Sequence, residues 1–270
     1  MTNWQYHQRR TDAVKAQAAE PNPYFTRCRV FGCQRPARAA TRDGLDTRHC
    51  RHHYDQYQRT GSPYRKSYLA KELNPYRQSA LLWLMENPDD PWVRNAISRV
   101  QTLYRQAGPL QEAFRLRGVK PKERARATWA RLRHHDVDAC LPVAAWLAVE
   151  MCIADDKGTE ATPTEEFRRV QAAKLIHRMA SGTHKRWEYP RKAEWSSLTL
   201  PPRVETLDIY PRSRGRVLRH IGEQLAQAVE LLVDHHLTTF QAFKTTRDQQ
   251  GLICDRPYVK GLVSRKRSKR

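Results

Sequence analysis

Cys28 and Cys33 enclose four residues, and Cys50 and His53 form a Cys-x-x-His pair. Thiolate sulfur and imidazole nitrogen at these spacings suit tetrahedral zinc, because two ligands on a tight turn or at a helix start can converge on one ion. The ligand set is Cys28, Cys33, Cys50 and His53, with His52 or His49 as the alternative fourth donor. Four protein ligands close the shell, so the ion, one Zn2+ per chain, is structural and offers no open position to a substrate. The competing reading is three buried cysteines and a surface histidine. The segment around them, with Gly32, Pro36 and Gly44 and little apolar content, could hardly bury thiols in a core of its own. A small loop-rich unit needs a staple, and metal binding would then be folding energy on the order of 10 kcal/mol or more.

Eight arginines and no lysine accompany these ligands between residues 27 and 59: Arg27, Arg29, Arg35, Arg38, Arg42, Arg48, Arg51 and Arg59. The planar guanidinium fork suits bidentate contacts to phosphate or guanine. Tyr54 and Tyr57 lie on the helix expected after Cys50. They either interleave with this charge or pack the small module.

Phe31-Gly32-Cys33-Gln34-Arg35-Pro36-Ala37-Arg38, then Cys50-Arg51-His52-His53-Tyr54, then Arg59-Thr60-Gly61-Ser62-Pro63 resemble the treble-clef-type zinc finger of phage and mobile-element proteins, including many HNH homing endonucleases. The resemblance covers residues 26–66. In this chain Asp46-Thr47-Arg48-His49 separate Gly44-Leu45 from Cys50, a longer connection than the family usually has. The resemblance implies a zinc-held nucleic-acid-binding module.

The 270 residues carry a net charge of +21. Such a surplus raises affinity for polyanions and the rate of meeting them, and says nothing about fold. Nucleic acid is the expected partner, DNA ahead of RNA. No basic amphipathic helix with a bulky apolar face points to a membrane, and the apolar run 141–149 is too short to span one. The polar opening Met1-Thr2-Asn3-Trp4-Gln5 lacks the apolar stretch of a secretory leader. A cytoplasmic or nucleoid-associated, non-secreted protein is expected. Cysteines in a reducing compartment favour metal over disulfides.

The elements that must position this chemistry are helices. The predicted fold class is mainly α: a small treble-clef-like zinc module followed by an all-helical body with irregular basic loops. The expected division is a polar arm or linker over 1–23, with a short helix over 12–19; the zinc module over 24–66; a helical domain over 74–158; a second helical part over 159–259 with a basic loop and a long helix; and a basic disordered tail over 260–270. Asn74-Pro75 and Asp90-Pro91 each read as an N-cap followed by proline at the first helical position. After Asp90, Val93, Ile97, Val100 and Tyr104 share one helical face. Residues 139–153 are nearly all apolar and should form the central buried helix, with Cys140 and Cys152 as core residues. Thr162-Pro163-Thr164-Glu165 reads as a capping box opening the next helix. Residues 183–212 read as irregular because of their prolines, with a short strand over 206–210. The following helix steps Leu218, Ile221, Leu225, Ala228 and Leu232 by three and four. That is a packing seam, inside the domain or for a protein partner or self-association through 217–236.

Further candidate nucleic-acid contacts lie outside the zinc module. Lys122, Arg126 and Arg133 fall on one stripe of the helix over 120–135, beside Trp129. That helix either lies along phosphates or turns Trp129 into the core under long basic stems. Lys185, Arg186 and Trp187 suit backbone contact and base stacking. Arg212, Arg214, Arg216 and Arg219 lead into the seam helix at Gly215, a plausible phosphate site. Arg265, Lys266 and Arg267 in the tail would add non-specific grip. No catalytic residue is assigned. A ββα-metal nuclease needs a general-base histidine with an Asn and a second His downstream, and neither His134-His135 nor His235-His236 supplies that set. The expectation is a zinc-containing DNA-binding accessory or regulatory factor of a phage or mobile element. The alternatives are a structured-RNA or ribonucleoprotein subunit and a divergent HNH-like nuclease.

Overall fold

The computed structural model describes residues 3–22, 24, 26–41, 44–116, 118–156, 164–179, 185–192, 199–207 and 215–252. The chain is mainly helical and separates into two compact units, Met1–Ser67 and Tyr68–Arg270.

In the first unit, α1 spans Asn3–Ala19, earlier and longer than the short helix expected over 12–19. Ala, Gln and Lys dominate its second half, and these strong helix formers let it propagate backwards. Asn22 N–H then bonds Ala39 O at 2.7 Å. A 3-10 turn over Arg38–Ala40 lies between the cysteine pairs, and α2, Arg51–Thr60, follows Cys50 and is ended by Gly61 in the left-handed conformation at φ 79°.

The second unit has one hydrophobic core. α3 (Ala70–Glu86), α4 (Pro91–Gln106), α5 (Pro121–His134), α6 (Cys140–Asp155), α7 (Glu165–Met179) and α8 (Arg216–Gln249) build it. α6 is its centre: every residue from Leu141 to Ile153 is buried, which is why its sequence shows no polar face. It packs on α3, α4, α7 and α8, and α8 in turn packs along α3, α4, α5, α6 and α7. The helices on either side of residue 158 therefore share a core, and the expected division into 74–158 and 159–259 does not hold.

Asp90 caps α4 as expected, its Oδ1 accepting from Trp92 N at 2.9 Å and Val93 N at 3.0 Å. Asn74-Pro75 does not cap α3. That helix starts at Ala70, where Glu72 Oε2 accepts from Leu69 N at 2.6 Å, so Pro75 lies inside it. A proline this near the N-terminus removes one hydrogen bond without ending the helix. The expected capping box begins at Thr162 and Pro163, outside the described residues; Thr164 Oγ1 accepts from Phe167 N at 3.3 Å.

α8 is 34 residues long, about 51 Å at the usual rise, and continues well beyond 236. Its second half is held on α3. Phe240 packs against Trp83 with ring centres 4.3 Å apart, and Lys244 Nζ sits 4.6 Å from the Tyr76 ring centre. The seam residues Leu218, Ile221, Leu225, Ala228 and Leu232 are all buried within the chain. The seam is spent on the domain's own core.

Part of the stretch expected to be irregular forms an antiparallel ribbon, β1 (Lys185–Lys192) with β2 (Thr199–Leu207). Its register runs from Lys185 opposite Leu207 to Tyr189 opposite Arg203, then shifts so that Arg191 faces Leu200. Pro190, Pro201 and Pro202 fall at that irregularity. Proline cannot donate to a ladder and is tolerated at a bulge, so these prolines locate the irregularity without preventing the pairing. Among the described residues, no helix is long and apolar enough to cross a membrane.

Candidate metal centre

The four ligand atoms of Cys28, Cys33, Cys50 and His53 lie within 4.8 Å of one another. Each pair is brought in by local structure. Val30, Phe31 and Gly32 turn the chain so that Cys33 N–H bonds Val30 O at 3.0 Å and Cys28 N–H bonds Arg35 O at 2.9 Å. Gly32 occupies φ 74° at that turn, which glycine adopts without steric cost. Arg29 N to Arg48 O at 2.7 Å, Arg38 N to His49 O at 3.0 Å and Ala39 N to Asp46 O at 2.9 Å carry the chain across to the second pair. Asp46 Oδ1 accepts from the backbone N–H of Arg48 at 2.9 Å and His49 at 2.6 Å, shaping the longer connection before Cys50. Cys50 is the N-cap of α2, and His53, three residues on, lies on the same helical face.

His53 Nδ1 stands 3.4 Å from Cys28 Sγ and 3.4 Å from Cys50 Sγ, and Cys33 Sγ is 3.9 Å from Cys50 Sγ. A tetrahedral ion about 2.3 Å from sulfur and 2.0–2.1 Å from nitrogen requires edges of about 3.8 Å between sulfurs and 3.5 Å between sulfur and nitrogen. The residues present fit such an ion. The fourth donor is His53. His52 is exposed with its ring set edgewise to His53, and His49 stacks on Tyr57 with ring centres 5.6 Å apart.

Burial pushes the Cys50 thiol up, the neighbouring Cys28 adding to it, because crowded thiolates repel. A backbone hydrogen bond from Arg35 pulls the Cys33 thiol down against desolvation. Desolvation, then the charges of His52, His49 and Arg35, hold His53 below its ordinary value and so in the neutral form that ligates. By contrast, burial pushes Cys140 and Cys152 up to about 12. They are protonated thiols, Cys152 buried in the core as expected and Cys140 half-buried against it.

The basic residues around the cluster divide. Arg27, Arg29, Arg35, Arg48, Arg51 and Arg59 are exposed, Arg59 reaching Asp55 at 3.8 Å. Arg38 is turned inward: its guanidinium lies 4.4 Å from the Tyr54 ring centre, and a Cβ at Gly44 would come within 2.6 Å of its Nη2. Tyr54 and Tyr57 are both half-buried, Tyr54 under Arg38 and Tyr57 against His49. Arg42 lies outside the described residues.

In the stripe expected on α5, the two arginines have partners within the chain. Arg133 Nη1 donates to Tyr104 O at 2.8 Å and its Nη2 to Gly108 O, while Arg126 Nε donates to Gln106 O at 3.0 Å. The two arginines donate to carbonyls at and beyond the end of α4, where helical carbonyls run out of i+4 partners; Tyr104 O also accepts from Ala107 N at 3.3 Å. Trp129 is buried and donates Nε1–H to Gln224 Oε1 at 2.7 Å. Lys122 remains exposed. At the start of α8, Arg216 is exposed, but Arg219 lies 3.8 Å from Glu166. Arg212, Arg214, Arg265, Lys266 and Arg267 lie outside the described residues, and so does the 260–270 tail. Lys185, Arg186 and Trp187 are placed only as backbone positions in β1.

Of the histidines considered for a nuclease, His235 and His236 meet the start of α4. His235 stacks on Trp92 with ring centres 4.0 Å apart, and His236 Nε2 lies 3.0 Å from the capping Asp90.

A cleft of about 450 Å³ beside the metal cluster, lined by Arg29, Leu45, Arg48, His49, Tyr57 and Tyr64 among others, was not assembled from the sequence. Its only local signals are an arginine directly after Cys28 and a tyrosine just past the Gly61-Ser62-Pro63 turn. Comparison of the chain with protein-family models, with curated proteins and with solved structures found no match.

Proposed function

We propose that the protein is a zinc-containing nucleic-acid-binding factor, with DNA as its partner and an accessory or regulatory role in a phage or mobile element. The observation that carries this reading is the closed Cys3His cluster set in a shell of exposed arginines, Arg27, Arg29, Arg35, Arg48, Arg51 and Arg59. Three sulfurs and one imidazole in a tetrahedral shell favour zinc, a borderline-soft ion with no redox chemistry, and leave no coordination position for a substrate. Bound there, zinc would cross-link the Cys28–Cys33 turn to α2 and make the surrounding arginines a rigid surface. The net charge of +21 supplies long-range attraction to a polyanion. The resemblance of residues 26–66 to treble-clef fingers supports the same assignment, as does the local build of a ligand turn followed by a helix that carries the second ligand pair. In this reading the protein is a binder and not a nuclease.

The test has three parts on the full chain. Elemental analysis should return one zinc per protein. Affinity for duplex DNA, titrated with salt, should fall with a log–log slope of about 0.9 per phosphate contacted. Arg35→Ala should weaken binding, because Arg35 is an exposed arginine two residues beyond Cys33. Plasmid DNA incubated with magnesium, manganese or zinc should stay intact. Stoichiometric iron in place of zinc, or salt-independent binding, would refute the assignment, and metal-dependent cleavage would promote the nuclease alternative.

A further inference from the structure

We propose that the cleft beside the metal cluster receives an unpaired nucleotide. The proposal rests on the nucleic-acid reading above and narrows it to strands whose bases are free of a duplex stack.

Arg29 and Arg48 are joined through the Arg29 N–H to Arg48 O bond at 2.7 Å, so their side chains leave neighbouring rungs. Both are exposed, and both line the cleft. Asp46 is the only carboxylate in the lining, and its Oδ1 is committed to two backbone N–H groups. The mouth is thus positive. Its aromatic surfaces are Tyr57, stacked on His49, and Tyr64, which is 54% exposed beside Leu45 at 44%. Tyr64 is held in place: Ser62 Oγ accepts from Tyr64 N and Arg65 N at 3.2 Å each, and Thr60 Oγ1 donates to Ser62 O at 2.6 Å.

Two guanidinium groups flanking aromatic and apolar surface match one ligand chemistry, a planar base carried on a phosphate backbone. A volume of about 450 Å³ lies in the range of small-molecule sites, roughly 300–1,000 Å³. In a duplex the base faces are stacked on one another, so only a strand end, bulge, loop or melted segment can offer one to the cleft. A third aromatic, outside the cleft lining, supports this. Phe31, at the tip of the turn between two ligands, is 96% exposed. A phenyl ring presented to solvent on a rigid turn is a ready platform for the next base along the strand.

The experiment uses metal-loaded full-length protein and fluorescence anisotropy. The probes are an unstructured DNA 16-mer, the same sequence as RNA, the blunt DNA duplex, and that duplex with a one-base bulge. The single strands and the bulged duplex should bind more tightly than the blunt duplex. Tyr64→Ala and Phe31→Ala should each weaken single-strand binding by about 5- to 150-fold, the value of one stacked base, with little effect on the blunt duplex and unchanged metal content. Arg29→Gln and Arg48→Gln should each reduce the single-strand salt slope by about 0.7. Equal or tighter binding to the blunt duplex, with Tyr64→Ala silent on every probe, would overturn this inference and leave the nucleic-acid reading standing. Binding to none of the four probes would overturn both.

Discussion

Stripping the metal should unfold Met1–Ser67 and leave Tyr68–Arg270 folded. Among the described residues of the first unit, the buried apolar ones besides Cys28 and Cys50 are Val30, Ala37 and Ala39. Burying a valine fully stabilises by ~1.5–3 kcal/mol and each alanine methyl by ~0.8 kcal/mol. A structural zinc site contributes ~10–16 kcal/mol, several times the apolar contribution. Without it, α2, at 10 residues, is shorter than the ~12–15 residues an isolated helix needs in water. The second unit has its own core, with Trp83, Trp129, Trp146, Phe167 and Phe240 buried. The perturbation is Cys50→Ser, or a zinc chelator on the unaltered chain, and the assay is amide hydrogen exchange resolved by segment. Protection should be lost across Arg51–Thr60 and at the amides of Cys28, Arg29, Cys33, Arg38 and Ala39, whose hydrogen bonds shape the site. α6 and α8 should keep theirs, and the main thermal transition should not move. A metal-free protein that still protects α2 would refute the claim that the ion organises the module. Simultaneous loss of protection in α6 would refute the independence of the two units.

Three further outcomes concern the helical body. Arg133→Ala should destabilise it by ~1–2 kcal/mol, since two carbonyls lose charged donors, while nucleic-acid affinity and its salt slope stay unchanged; a flatter slope would return Arg133 to the binding surface. Gly222→Ala would place a Cβ 2.3 Å from the Arg169 carbonyl oxygen, so α7 and α8 must separate, at ~1–3 kcal/mol and a drop of roughly 2–10 °C in Tm; an unchanged Tm would show that the contact relaxes freely. Glu150 is buried 3.2 Å from Arg168, and desolvation holds its carboxyl above the ordinary value, with Arg168 opposing and Asp234 adding to the rise. Between the ordinary glutamate value and that raised one, the folded state binds more protons than the unfolded state, so stability falls as pH rises through this window. Urea unfolding from pH 4 upward should show the parent chain losing stability relative to Glu150→Gln; a relative gain would mean that the Arg168 pair outweighs burial.

The metal ligands were legible in the sequence because their spacing is short-range. A five-residue step around a glycine turn and a three-residue step at a helix start bring donors together almost without help from the rest of the chain. The Asp90-Pro91 cap, the all-apolar α6 and the seam of α8 were legible for the same reason: each is written within one or two turns of helix. What the seam packs against was not, because both choices show the same period, and only the assembled core buries Leu218 through Leu232 inside the chain. The end of α8 depends on Phe240 reaching Trp83, more than 150 residues earlier, and no local pattern encodes that contact. Arg126 and Arg133 make the same point for function. On a helical wheel they form a basic stripe, yet their partners are carbonyls at the end of a different helix, a demand visible only once α4 lies beside α5. The cleft likewise draws Arg29, Leu45, Arg48 and Tyr64 from separate turns. Periodicity and ligand spacing are local properties of the chain, while the partner that satisfies a charge, or the wall that completes a cleft, is set by which distant segments the tertiary structure brings together.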